Sequence, residues 1–188
     1  MKLTKQILTD LKACTEAVDY FEVNKLEGKK LKYCIKKSLK DNHFAWCNWL
    51  VVRLMTNKQN IQYAIFAAEQ VISIFEEKYP EDNRPRKAIE AAKNYLNKPN
   101  KETASAAYAA YAASAASAAS AANAASAAYA AASAAYAASA AAYVSYASSA
   151  AYAASAAAYV SYASSAAYAK MKTKIINYGI KLIESKNE

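Results

Sequence analysis

The sequence predicts an all-α fold, a multi-helix bundle carrying a close-packed helical layer rich in Ala, Ser and Tyr. Three observations predict it. Apolar residues of the first hundred positions recur at steps of three and four, the spacing that lines one face of an α-helix. Helix start and stop signals punctuate those stretches, among them Asn83 ahead of Pro85, Tyr79 ahead of Pro80, and Asn100. From Ala104 to Ala169 the chain then contains only Ala, Ser, Tyr, Val and Asn, and alanine is the strongest helix former.

Leu3, Ile7, Leu11, Cys14, Val18 and Phe21 step by four, four, three, four and three, which predicts a first helix ending before the Gly28 turn. A short second helix has Leu31, Cys34, Ile35 and Leu39 inward and Lys29, Lys32, Lys36 and Lys40 outward. Asp41 or Asn42 is placed to cap a third, "HFAWCNWLVVRLM", which is apolar nearly all round and therefore central. The fourth is expected from about Gln59 to Lys78, with Ile61, Ile65, Ala68, Ile72 and Phe75 on one face, until Tyr79-Pro80 stops it. A fifth is capped at Asn83, carries Pro85 in its first turn and ends before Pro99. Asn100 caps the alanine tract, with Glu102 in its first turn. Tyr178, Ile180, Leu182 and Ile183 close the chain as an amphipathic segment. About seven or eight helices are expected in all.

As one straight helix the tract would reach ~100 Å. A compact globule of this length is only ~40 Å across, so the tract either folds back or protrudes. Tyr108, Tyr129, Tyr136 and Tyr143 are separated by multiples of seven, and Tyr111 and Tyr146 lie three beyond members of that set, an a/d-like seam. Residues 139–154 recur at 155–170 with one change. A sixteen-residue shift turns a straight helix by about 160°, so a turn near Ser148-Ser149, or at Asn123, is needed to return the repeated tyrosines to one face. Small Ala and Ser let helix backbones approach closely, and tyrosine fills the remaining space with a polar tip. The expected organisation is an N-terminal bundle over 1–100 with the part from 101 to 188 packed on it, one compact domain overall. Tyrosine seams on alanine helices are also natural subunit contacts, so a homo-oligomer is expected.

Apolar residues make up 55% of the chain, but alanine inflates that figure. The formal net charge is +9, which favours anionic ligands, polyanions or acidic proteins as partners. The three cysteines, Cys14, Cys34 and Cys47, are an odd set of buried-type residues, and no signal-like segment opens the chain, so the expected location is a reducing cytoplasm. The tract holds too much Ser and Tyr and too little Leu, Ile and Phe to span a membrane.

Catalysis is poorly provided for. With one histidine, His43, and two glycines, Gly28 and Gly179, there is no Ser-His-acid signature, no HExxH and no glycine-rich phosphate loop, and the chain reads as a non-enzyme without cofactor. Cys14, Cys34, His43 and Cys47 match no common zinc spacing; they read as small core thiols and a helix-start histidine, with no metal. Lys25, Lys29, Lys30, Lys32, Lys36, Lys37 and Lys40 gather seven positive charges around Glu27. That is a solvated helix face or, as the weaker functional reading, a nucleic-acid contact. Arg84 and Arg86 flank Pro85 at a helix N-terminus, where an anion is favoured or where Glu81 and Asp82 neutralise them. Tyr143, Tyr146, Tyr159 and Tyr162 form the repeated "YVSY" pairs, suited to packing or to stacking a planar base.

The block "DNRPRKAIEAAKNYL", preceded by "YAIFAAEQVISIFEEKYP" and followed by an Ala-rich tract, resembles an immunity-protein family found with bacterial polymorphic toxins. It also looks like Ala/Tyr-rich phage and prophage proteins sharing that block. Asp82, Arg84, Pro85, Arg86, Ala88, Ile89 and Glu90 carry the resemblance, which runs from about Lys30 to Leu96. It implies an all-helical, non-catalytic protein of conflict systems that acts by binding. Relatives carry Asp and Arg within the tract where this chain has Ser and Tyr. The function expected first is phage counter-defence by sequestering an anionic nucleotide immune signal, with Tyr143, Tyr146, Tyr159 and Tyr162 on the base and Arg84 and Arg86 on phosphate. The alternative is an immunity protein that blocks a toxin or effector protein through its surface.

Overall fold

The computed structural model describes residues 1–120 and 165–185. Among them are nine helices: α1 (Lys5–Asp10), α2 (Thr15–Val23), α3 (Leu31–Lys40), α4 (Phe44–Leu54), α5 (Asn57–Glu69), α6 (Ile72–Lys78), α7 (Arg84–Asn97), α8 (Lys101–Ser120) and α9 (Ser165–Glu184). The described residues form an all-α fold without a named strand; one isolated antiparallel bridge joins Lys2 to Lys30. Residues 121–164, which hold Asn123, Ser148-Ser149, the two "YVSY" pairs and most of the expected seam, lie outside the described residues.

The expected first helix is two. Lys12 sits at φ 60° just past Leu11. Its N–H donates to the Thr9 carbonyl and the Ala13 N–H to the Leu8 carbonyl, both at 2.9 Å. This paired pattern is the Schellman stop, which turns the chain out of a helix through one left-handed residue. Lys25 (φ 52°) ends α2 and Asn42 (φ 64°) ends α3 with the same pair of bonds. Asn42 thus terminates α3 rather than capping α4, whose N-cap position falls to His43. A side chain in the left-handed region is strained where glycine is not. Lys12→Gly is therefore expected to stabilise the fold by about 0.5–1 kcal/mol, read as a raised urea midpoint; an unchanged midpoint would remove the strain argument.

The expected fourth helix also divides and begins earlier. Thr56 and Gln59 form a capping box, each side chain serving the other's backbone N–H. The ladder tightens at the far end, where Val71 N–H donates to the Ala68 carbonyl and the Gln70 amide to the Phe66 carbonyl. Asn83 holds the N-cap position of α7, with Pro85 in the first turn, but the bond comes from Asp82, whose Oδ1 accepts from Arg84 N–H at 3.1 Å. Asn100 caps α8 directly: its Oδ1 accepts from Thr103 N–H at 2.8 Å, and Thr103 Oγ1 accepts from Asn100 N–H.

α5 packs against α6, α7 and α9, α4 against α3 and α9, and α8 against α7. The buried centre includes Val51, Tyr63, Phe75, Ile89, Ile175 and Ile176. Tyr63, fully buried, donates its hydroxyl to Asn48 Oδ1 at 2.9 Å. α8 lies along α7 with Ala104 and Ala107 buried, the close approach that small residues permit. Tyr108, expected on the seam, is 58% exposed.

Candidate functional site

The arginines singled out in the sequence are already engaged. Arg84 grips Asp82 through Nε and Nη2 at 2.9 and 2.7 Å, and Arg86 grips Glu76 through the same two donors at 2.6 Å each. The carboxylates raise both guanidinium pKa values further. Glu76, on α6, was not among the partners expected from sequence. It joins α7 to α6, and Lys93–Glu69 joins α7 to α5. Tyr143, Tyr146, Tyr159 and Tyr162 lie outside the described residues, so the structure places only the two arginines of the expected site.

A cleft of about 360 Å³ lies among α1, α2, α3 and α4. Residues 1–3 close one side, because Leu3 N–H donates to Lys29 and Leu3 carbonyl accepts from Gly28, both at 2.9 Å. Leu3, Leu8, Phe21, Leu26, Ile35 and Leu50 form apolar wall, and Tyr20, Trp46 and Trp49, half-buried, line it too. These are the chain's two tryptophans. The all-round apolar character of α4 follows: Val51 meets α9 at Gly179, while Trp46, Trp49 and Leu50 face the cleft. The sequence pattern predicts α4, with Trp46 and Trp49, as a central helix. The available signal was Trp46 and Trp49 at i,i+3 on a helix with more apolar surface than one contact needs.

Ring contacts and a short polar chain order one wall. His43 stacks on Trp46 with centroids 3.9 Å apart, and Tyr20 meets His43 edge-on at 4.7 Å. Tyr20 donates its hydroxyl to Asp41 Oδ2 at 2.7 Å, and Lys37 reaches the same oxygen at 2.5 Å. Burial, with the Asp41 bond, pushes the Tyr20 hydroxyl up to about 12, and Lys37 followed by Tyr20 holds Asp41 below the usual carboxylate range.

All three cysteines line this cleft, unpaired. Cys34 and Cys47 are buried, as expected, and Cys47 Sγ donates to the Ile35 carbonyl at 3.7 Å. Burial pushes the Cys47 thiol up to about 12 and raises that of Cys34. Cys14, expected in the core of a first helix, is instead exposed at the head of α2. No group of His, Cys, Asp or Glu suited to a metal ion occurs among the described residues.

The other candidate surface is α3. Lys32, Lys36 and Lys40 on α3, with Lys29 and Lys30 just before it, are exposed and form no ion pair with a described residue, whereas Lys37 is paired. Lys32, Lys36 and Lys40 lie on the helix face opposite Cys34, Ile35 and Ser38, which α3 turns to the cleft.

A family model described as Imm-5 like putative immunity protein matches residues 51–178. The chain belongs to this Imm-5-like immunity-protein family. Membership implies a toxin or effector protein as partner. The match takes in α5, α6 and α7 with their arginine pairs, while every residue lining the cleft precedes it. No curated protein and no solved structure matches the chain. Among the described residues of this Imm-5-like protein, no helix is long and apolar enough to cross a membrane.

Proposed function

We propose that this protein neutralises a toxin or effector protein by binding it, without chemistry of its own, and that its lysine face meets an acidic surface on that partner. Beyond the family, the supporting observation is the row of exposed α3 lysines with no ion pair to any described residue, in a chain of net charge +9. Such a face raises encounter rates with an acidic partner and disfavours basic ones. It does not need a deep site.

Nucleotide sequestration, with phage counter-defence as its setting, stands second. An incoming phosphate would have to displace Asp82 and Glu76 from bidentate contacts with Arg84 and Arg86, and such pairs are among the stronger polar contacts. A test that separates the two is co-expression with toxins encoded in the same locus, scored by growth. Rescue by the natural protein is expected, and a Lys32→Glu, Lys36→Glu, Lys40→Glu triple variant should slow association with the rescued toxin about tenfold or more at low salt, with the gap closing as salt rises. Unchanged association in a folded triple variant removes the lysine face. No rescue, with nucleotide retained in native mass spectrometry and lost in Tyr143→Ala, Tyr159→Ala, would establish sequestration instead.

A further inference from the structure

We propose that the cleft of α1–α4 binds a free, single-chain anionic amphiphile, a medium-chain fatty carboxylate, with its tail among the leucines and its head at Lys12. The inference is independent of toxin binding and lies wholly in residues before the family match begins.

The walls decide the body of the ligand. Leu3, Leu8, Phe21, Leu26 and Leu50 carry no polar side-chain atom, so a polar group entering there gives up its water without replacement. The cysteines offer nothing in return, since the buried thiols already donate to backbone carbonyls. At about 360 Å³ the space is at the lower end of small-ligand pockets, enough for one chain but not for a two-tailed lipid.

The mouth decides the head. Lys12 is the one charged residue among those lining the cleft, is exposed, and forms no ion pair with a described residue. It is held at the α1–α2 turn by the Schellman bonds of Leu8 and Thr9, so its position is fixed by backbone. Tyr20, which also lines the cleft, has its hydroxyl committed to Asp41. An apolar well with a single cation at its entrance complements a carboxylate on an alkyl chain and disfavours an alkylammonium.

Both tryptophans and the exposed Cys14 line the cleft, so occupancy reports itself. The experiment titrates the full-length protein with octanoate, decanoate and dodecanoate below their micelle concentrations, reading tryptophan emission and the rate of Cys14 modification by a water-soluble disulfide reagent. The expected result is saturable binding that tightens about fourfold per methylene, a blue-shifted emission and a protected Cys14. Lys12→Gln, a surface change, should weaken decanoate about fivefold or more while leaving decanol unchanged. Ala17→Phe, which narrows the cleft, should weaken both. No saturable change with dodecanoate overturns the proposal, as does equal binding of decanoate and decylammonium. If Ala17→Phe fails to fold, the Lys12→Gln comparison of acid with alcohol decides alone: an equal loss for both, or none for either, removes Lys12 as the head site.

Discussion

Gly179→Val is expected to destabilise the protein by about 3 kcal/mol, the upper end of what overpacking a close-fitted core costs. A Cβ at Gly179 would lie 2.5 Å from Val51 Cγ1 and 3.0 Å from both Met55 Cε and Tyr63 Cε2. Met55 can swing its thioether away, but Val51 and Tyr63 are fully buried. Valine is also stiff about χ1. The relief must therefore come from moving α9 off α4 and α5. Helix propensity returns only about 0.4 kcal/mol of the loss, because valine is itself a modest helix former. Gly28→Ala is the control: it has nothing within 4 Å but stands at φ 69°, so it should cost about 1 kcal/mol through backbone strain alone. Urea unfolding followed by tryptophan emission measures both. A Gly179→Val variant within about 1 kcal/mol of the natural protein would show that the α9 contact yields easily.

What the sequence made legible, and what it hid, divides along chemistry. Helices α3, α4 and α7 were expected nearly as they stand, because each joins an apolar stripe to polar or proline punctuation. The breaks at Lys12 and at Gln70-Val71 were hidden, since neither uses glycine or proline. Lys12 and Lys25 stop helices by adopting a left-handed conformation that their side chains do not advertise. The apolar stripe also runs through both breaks, so periodicity could not reveal them. The site is harder still. Trp46, Trp49 and Phe21 look like core in any helical pattern, and a cleft is distinguished from a core only by whether neighbouring helices close over it. Arg84 and Arg86 stood out for their density of charge, yet Glu76, eight positions before Arg84 and on another helix, was needed to see how Arg86 is held.

Alkaline pH is expected to destabilise the protein progressively from about pH 9 and to unfold it towards pH 12, by the linked ionisation of buried acids. Cys47 rises from an ordinary 9.0 to about 12 and Tyr63, fully buried, lies well above 10.0. For an acid whose folded pKa is raised, the unfolded chain loses its proton first. The folded state keeps its full stability below the unfolded pKa and loses it as pH rises towards the folded value. Each such group removes about 1.4 kcal/mol per pH unit across its window, so Cys47 alone removes about 4 kcal/mol between pH 9 and 12. Tyr63 adds an equal slope above pH 10, and Tyr20, raised to about 12, acts in the same direction. Against a typical domain stability of about 5–15 kcal/mol, those losses reach the unfolding threshold. Tyr63→Phe separates the causes. It leaves Asn48 Oδ1 without the tyrosine donor and should cost about 1–2 kcal/mol at neutral pH. Above pH 10 its stability should fall less steeply than that of the natural protein, so the two curves converge as pH rises. Urea midpoints measured from pH 7 to 11.5 test this, and parallel curves would mean that the Tyr63 hydroxyl ionises in the folded protein as readily as in the unfolded chain.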